Sequence, residues 1–347
     1  MTTLGIGGAA RWFFRARTAE DVARAHRWCE ARRVPLVVLG GGSNVVVADR
    51  SIEGLVLHIA IGGVDFSGRD GEARVQAGAG EAWDPIVEMA VLRGLAGLEC
   101  LSGIPGSAGG TPIQNVGAYG QEVSQSIAGV TAFDRASGEV VALAAGECGF
   151  GYRTSRFKHT DAGRFVVCGV TLQLRAGPPA IAYPELIDEL QRGAIEAPGL
   201  IDVREAVLSV RRRKGMVLDR ADPDTRSVGS FFMNPVVTAG VYEGLAAVSP
   251  GPVPGFPQPD GAVKVPAAWL IERAGFARGY QCGAVGLSSK HPLALVNRGG
   301  ATARDVLQLA ARIKRQVADR FGIWLVPEPV FVGFDGDADV RYLLEKR

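Results

Sequence analysis

The sequence predicts a protein of mixed strands and helices with more than one domain, and three observations carry that expectation. The chain has 347 residues, long enough for two or three separate cores. Short apolar strand-like runs and capped helical stretches are mixed along it, with no internal repeat. Two glycine-rich loops interrupt them, at 40–44 and within 101–120.

The first stretch reads β-α-β. Thr18 with Asp21 three residues later has capping-box spacing and opens a helix through Val22, Ala25, Trp28 and Cys29. Val34–Leu39 is a strand that runs straight into Gly40-Gly41-Gly42-Ser43-Asn44, and Val45–Ala48 and Leu55–Ile59 are further strands. A second stretch begins at Arg74–Ala77 and enters a helix, Trp83–Arg93, stopped by Gly94. Val130–Phe133, Val140–Leu143 and Phe165–Leu174 read as strands, with Ser137-Gly138 as a turn. A Val- and Arg-rich helix, Val203–Lys214, closes this part. In the third stretch, Pro223–Pro235 and Ser249–Pro259 read as loops. Ala267–Ala274 and Ala303–Phe321 read as helices, the second capped by Thr302 with Asp305, and Val330–Phe334 as a strand.

Composition narrows the function. Charge is nearly balanced, +2 overall with the basic residues scattered, which removes any global electrostatic reason to expect nucleic-acid binding. The one dense basic run, Arg211–Lys214, is short enough to be a solvated helix end. Five dispersed cysteines without a C-x-x-C pair, and only four histidines, give no metal-ligand spacing and suit reduced thiols. No signal-peptide pattern and no uninterrupted apolar span of membrane length occur, so the expectation is a cytoplasmic protein with no membrane partner.

Leu101–Gly120, LSGIPGSAGGTPIQNVGAYG, holds six glycines and no charged side chain. Glycine permits positive φ and close approach of main-chain N–H groups, and consecutive amides curled into a nest attract anions such as a diphosphate. Neither the G-K-[ST] of a P-loop nor the compact turn of a Rossmann fingerprint is present. Taken alone, the segment is either a nucleotide cradle or a tightly turned structural loop, and Gly40–Gly42 is either a second phosphate contact or a simple turn.

Order and spacing add more. GGGSN at 40–44, GIPGSAGGTPIQNVGAYG about sixty residues later, then YRTSRFK, GSFFMNP and WLVPEP closely resemble the UDP-N-acetylenolpyruvoylglucosamine reductase family. The resemblance runs from Leu4-Gly5-Ile6-Gly7-Gly8 to Phe331. It implies an α+β architecture: a two-domain FAD-binding portion of the vanillyl-alcohol-oxidase/PCMH type plus a C-terminal α+β substrate-binding domain. The expected divisions are 1–62 for the first FAD-binding subdomain, with 326–347 packing back onto it, 63–214 for the second, and 215–325 for substrate.

By the same resemblance both glycine loops line FAD. The implied contacts are Gly40, Gly41, Gly42, Ser43 and Asn44, then Gly103, Ile104, Pro105, Gly106, Ser107, Gly110 and Thr111, then Gln114, Asn115, Gly117, Ala118 and Tyr119, with Arg211. The implied reaction belongs to peptidoglycan precursor synthesis: NADPH gives a hydride to FAD, which passes it to C3 of the enolpyruvyl group, and a proton arrives at C2. Charge then develops on an enolate over the substrate carboxylate, which a fixed cation and a hydrogen-bond donor stabilise. Arg153 in YRTSRFK supplies the forked cation, Ser230 in GSFFMNP the proton. Glu328, held extended between Pro327 and Pro329, is expected to be protonated or bridged through Arg153.

Tyr183 in IAYPEL marks the family's first subtype, in which a mobile loop closes over the uridine diphosphate. Lys214, Asn234, Lys264 and His291 are the other implied substrate contacts, Lys214 being also a favourable helix C-terminal cation. Met233, His291 and Phe256 depart from the lysine, glutamine and tyrosine common at these places. A different flavoprotein on the same scaffold, such as an oxidase, and a silent FAD- or sugar-nucleotide-binding module are the competing readings. Arg153, Ser230 and Glu328 together disfavour both. No dimerisation element is evident, so a monomer with small-molecule partners is expected.

Overall fold

The computed structural model describes residues 1–69, 71–249 and 251–346; Pro250, in the expected 249–259 loop, lies outside the described residues. By their contacts they fall into two compact units, Ala10–Gly42 with Ile52–Val217, and Met1–Ala9 with Ser43–Ser51 and Leu218–Arg347. This grouping differs from the expected boundaries at 62, 214 and 325, because short stretches at 1–9 and 43–51 join the C-terminal part of the chain. One boundary falls inside GGGSN, after Gly42.

In the larger unit, Ala10–Ala16 and Leu36–Leu39 flank Ile52–Ile59 in a parallel sheet. Helix Ala19–Arg32 begins where Thr18 Oγ1 accepts the Asp21 N–H at 3.1 Å, and it sends Val22, Ala25 and Cys29 into the core. A larger antiparallel sheet runs Glu139–Ala144, Ile127–Asp134, Phe165–Ala176, Glu72–Gly78, Val64–Ser67, with Leu95–Ala96 also paired to Phe165–Ala176. Helix Trp83–Leu92 packs Trp83, Ile86, Val87 and Ala90 into the same core as Val75, Phe133 and Leu172. Helices Pro184–Arg192 and Leu200–Arg213 are joined by Glu189, which takes two bonds from Arg213 and one from Ser209. The Arg213 hydrogen bonds hold the Glu189 carboxyl down at about 2.

The smaller unit carries an antiparallel sheet ordered Ser227–Ser230, Ala294–Asn297, Val285–Leu287, Gln281–Cys282. A second sheet places Val263–Lys264 between Val236–Val237 and Phe256–Pro257. Thus 223–235, read as a loop, contains a strand, because Ser227–Ser230 finds its partner far along the chain. Val45–Val47 pairs in parallel with Val330–Val332. Helix Ala303–Phe321, with its Thr302–Asp305 capping box, buries Val306, Leu309, Ala310, Ile313 and Val317 against Phe231, Leu270 and Leu295. On the same helix the buried Lys314 ammonium donates to the carbonyls of Tyr342, Leu343 and Glu345 at 2.9, 2.7 and 2.7 Å, capping helix Ala338–Leu344. The N-terminal residues are fastened by Asn297 Nδ2 to Leu4 O at 3.0 Å and Thr3 Oγ1 to Ser227 O at 2.7 Å.

Candidate active site

The two glycine loops meet backbone to backbone within the larger unit. A Cβ at Gly41 would come within 2.8 Å of Gly106 Cα and 3.2 Å of Ser107 N, and one at Gly40 within 2.9 Å of Ser107 Oγ. The close approach therefore requires glycine. The N–H groups of Gly41, Gly106 and Ser107 have no acceptor among the described residues, while the amides of Ala108, Gly109 and Gly110 that follow are consumed internally. Trp83 N donates to Gly106 O at 3.1 Å, Ala108 N to Glu81 O at 2.8 Å and Gly109 N to Ala79 O at 2.9 Å. Gly103, with φ 70, is gripped at both ends: its N–H donates to Asp84 Oδ1 at 2.5 Å and its carbonyl accepts from Arg211 Nη2 at 3.3 Å. The partly exposed Asp84 is fixed in turn by the buried Arg204, at 2.7 and 2.9 Å. Free donors held on a rigid frame form an anion nest. Thr111 is turned away, its hydroxyl donating to Ala108 O at 2.8 Å.

Five residues other than glycine have positive φ among those described, and three are predicted site residues: Asn115 at 44°, Tyr119 at 49° and Arg153 at 54°. Gly117–Ala118 and Gln121–Glu122 form a hairpin whose tip, Tyr119-Gly120, has positive φ at both positions, as a type I′ turn requires. Asn115 is almost wholly buried and fully used: Nδ2 donates to Glu122 Oε2 and Gly151 O at 2.7 and 3.0 Å, and Oδ1 accepts from Ser124 N at 3.1 Å. It braces the hairpin against the YRTSRFK segment. Ser155 Oγ adds a second tie to Ile113 O at 2.6 Å. Between these ties Gly151 and Thr154 exchange two backbone bonds of 3.1 Å around Tyr152-Arg153, which turns the guanidinium toward Gly117; a Cβ there would lie 3.5 Å from Arg153 Nη1. Gln114 and Ala118 are half-buried on the same loop, as are Ile104, Pro105 and Gly110 on the preceding one.

A third group gathers around Tyr119. Its ring meets Tyr183 edge-on at 5.5 Å, and Lys214 Nζ lies 5.8 Å from its centroid. Burial pushes the Tyr119 phenol up to about 12, with Arg211 pulling the other way. Burial likewise lowers Arg211, whose Nε is buried without a hydrogen-bond partner. Tyr183 is the N-cap of helix Pro184–Arg192, and Lys214 the C-cap of Leu200–Arg213. Lys214 Nζ is engaged by Glu185 Oε2 at 2.5 Å, so the proposed diphosphate cation already holds a carboxylate. Glu185 and Asp84 are site-region residues that motif reading does not single out.

In the smaller unit Ser230 pairs with Ala294, at a register shift after Ser227. Gly229 has φ 73, and its N–H donates to Ser227 Oγ at 3.1 Å. The half-buried Ser230 hydroxyl has no hydrogen-bond partner among the described residues. The next residues tie the strand to the WLVPEP segment: Glu328 N donates to Phe231 O at 2.8 Å and Met233 N to Val326 O at 3.0 Å. Glu328, 9% exposed, thus lies beside the Ser230 strand. Asn44 O accepts the Val330 N–H at 3.0 Å, which brings the end of GGGSN, Ser43-Asn44, to the same segment. Asn234 Oδ1 caps helix Ala267–Arg273 through Ala267 N at 2.9 Å. Lys264 stands opposite Val236 and Phe256, and His291, three residues before strand Ala294–Asn297, accepts the Leu293 N–H on its Nδ1 at 3.3 Å. Arg153 belongs to the other unit.

The nest, with its free amides and the unpartnered Arg211 Nε beside Gly103, suits a dinucleotide diphosphate. The comparisons agree. Residues 10–144 match an FAD binding domain model, and 222–332 match the UDP-N-acetylenolpyruvoylglucosamine reductase, C-terminal domain model. UDP-N-acetylenolpyruvoylglucosamine reductases of Thermobifida fusca and Mycobacterium tuberculosis are each 49% identical over 96% of this chain, covering 95% and 93% of those relatives. The Streptomyces coelicolor enzyme of that name is 46% identical over 96% of this chain and 88% of its own. A crystal structure of the reductase from Thermus caldophilus superposes with TM-score 0.65 at 26% identity, covering 95% of both chains. With near-complete coverage at this identity, the chain belongs to the UDP-N-acetylenolpyruvoylglucosamine reductase family, an FAD-binding domain joined to that family's C-terminal domain.

Proposed function

We propose that the protein carries out the NADPH-dependent, FAD-mediated reduction of UDP-N-acetylglucosamine-enolpyruvate to UDP-N-acetylmuramate, a step of peptidoglycan precursor synthesis. The observation that carries the reading is the nest at Gly41, Gly106 and Ser107, three free main-chain donors in a segment without charge. Those amides would hold the FAD diphosphate, with Arg211 beside them and the loop residues 110–119 continuing along the cofactor. When bound, the flavin supplies hydride chemistry, taking a hydride from NADPH and giving it to C3 of the enolpyruvyl group.

The chain's own residues manage charge and protons. Arg153 binds the substrate carboxylate and gains interaction as the enolate develops, since its guanidinium stays charged. Ser230 Oγ gives its proton to C2, and the alkoxide recovers one from water. Its hydroxyl has no competing partner among the described residues, which supports this role. Glu328 acts in its protonated form or through Arg153, because an ionised carboxylate would oppose the enolate. Tyr183, Lys214, Asn234, Lys264 and His291 bind the nucleotide sugar. For Lys214 this means exchanging Glu185 for phosphate. Among the described residues no helix is long and apolar enough to cross a membrane; we place the enzyme in the cytoplasm as a monomer.

Anaerobic stopped-flow absorbance on both half-reactions tests the reading. NADPH should bleach the flavin, and the enolpyruvyl nucleotide should restore its colour faster than air does. Recovery no faster than with air would remove the proposed substrate, and a protein that binds no FAD would remove every flavin reading.

A further inference from the structure

Glu99 is completely buried, and no cation is paired with it among the described residues. A buried carboxyl is costly unless its lone pairs are satisfied. Here three neutral donors from three segments do so. Gly97 N donates to Oε2 at 2.7 Å, while Gln121 Nε2 and Ala180 N donate to Oε1 at 2.8 and 3.0 Å. Gln121 is itself locked, its Oε1 accepting the Cys100 N–H at 2.9 Å.

The two donors that share Oε1 connect regions with different tasks. Gln121 is the first residue after the Tyr119-Gly120 turn, paired with Ala118 next to the tip of the hairpin that belongs to the proposed cofactor loop. Ala180 lies three residues before Tyr183, in the extended stretch leading to helix Pro184–Arg192. Farther along the same pair of segments, a Cβ at Gly120 would meet Ala182 Cβ at 3.9 Å, and the Tyr119 and Tyr183 rings meet at 5.5 Å. The stretch 180–183 therefore lies against the tip of the hairpin, with Glu99 as its polar anchor.

We propose that Glu99 is a positioning residue for Tyr183: through the Ala180 N–H it fixes the strap against the cofactor hairpin, and so sets how well Tyr183 engages the nucleotide substrate. The inference rests on the proposed function of the same site. Glu99 itself touches neither substrate nor cofactor. A strap bond of this kind contributes to substrate affinity and not to reduction by NADPH.

The test measures both half-reactions of the holoenzyme, with hydrogen exchange at the 181–183 amides. Glu99→Ala should raise KM for the enolpyruvyl nucleotide about tenfold, the scale of one hydrogen bond to a charged group, while NADPH bleaching keeps its rate. Glu99→Gln should recover most of the loss, because its amide oxygen still accepts at the Oε1 position. Ala180→Pro removes the strap's donor at an exposed position, leaves the buried carboxyl in place and should reproduce the KM effect even if Glu99→Ala does not fold. Exchange at 181–183 should quicken in Glu99→Ala or Ala180→Pro. In a Tyr183→Ala background Ala180→Pro should add nothing, since both act through one contact. Unchanged KM in Ala180→Pro, or equal loss in both half-reactions, overturns the inference. Wild-type enzyme that fails to react with the enolpyruvyl nucleotide instead overturns the proposed function, while the exchange comparison still reports on the strap.

Discussion

The two units build candidate chemistry from opposite materials. In the larger one the anion nest at 40–42 and 103–107 is main chain, and side chains such as Asp84, Arg204 and Arg211 serve to hold it. In the smaller one the backbone does the holding. The Ser227–Ser230 strand and the 326–330 segment are bonded to their neighbours through main-chain groups, and the proposed roles fall to the side chains of Ser230 and Glu328. A backbone site is sensitive to adding atoms, and a side-chain site to removing them. That asymmetry is what mutation should expose.

The largest effect is expected from Ser230→Ala, which deletes the proposed proton donor. Reoxidation by the enolpyruvyl nucleotide should drop about a thousandfold in stopped flow, the upper-middle range for a general acid, with bleaching by NADPH intact. Equal loss of the two half-reactions would sink the assignment. Next comes Gly41→Ala, which adds one methyl where 2.8 Å separates its position from Gly106 Cα. Overpacking of this kind should weaken FAD binding by about tenfold or more, measured by fluorescence titration. Gly146→Ala, whose Cβ would meet nothing within 4 Å and which lies outside the proposed cofactor loops, should bind normally. Matching defects in both would mean that the close approach is irrelevant.

Smaller effects probe the helices that carry Tyr183 and Lys214. Glu185→Gln releases Lys214 from its ion pair and should lower KM for the nucleotide about threefold, in keeping with a partly exposed pair. A raised KM would show that Glu185 orders the site instead of competing for it. Finally, the Arg213-bonded Glu189 has a folded pKa near 2 against an ordinary value of 4.5. Its contribution is therefore complete above about 4.5 and is lost as pH falls toward 2. Urea melts of Glu189→Gln should lose this particular acid dependence, a change that leaves the nest untouched.

Much of this was legible because the signals were local. The Thr18–Asp21 and Thr302–Asp305 caps announce their helices, and both appear in the structure. The glycine loops declare their use of backbone, although only the structure pairs Gly41 with Gly106. What escaped depended on distant partners or on misleading local cues. No helix is expected over 184–192, yet Pro184, at the first helical position, starts Pro184–Arg192. Gly240 and Gly244 obscure helix Ala239–Val248. Val285–Leu287 and Ala294–Asn297 are too short and too thoroughly buried to show alternation. Glu99 left only a faint trace, a single acid in the apolar run LAGLECLSGIPG, and its three donors come from positions 97, 121 and 180.

The parallel pairing of Val45–Val47 with Val330–Val332 bears on how the chain is made as well as on what it does. On the ribosome the early strand emerges with its partner still unsynthesised, and so do Thr3 and Leu4, whose acceptors and donors sit at Ser227 and Asn297. The larger unit lies wholly within 10–217 and is made long before that. Synthesis thus imposes an order: the cofactor-binding part can fold first, while residues 1–9 and 43–51 wait, exposed, until their partners between 218 and 332 are made. Shortage of chaperone during rapid expression should therefore harm the unit that carries Ser230 before the one that carries the nest.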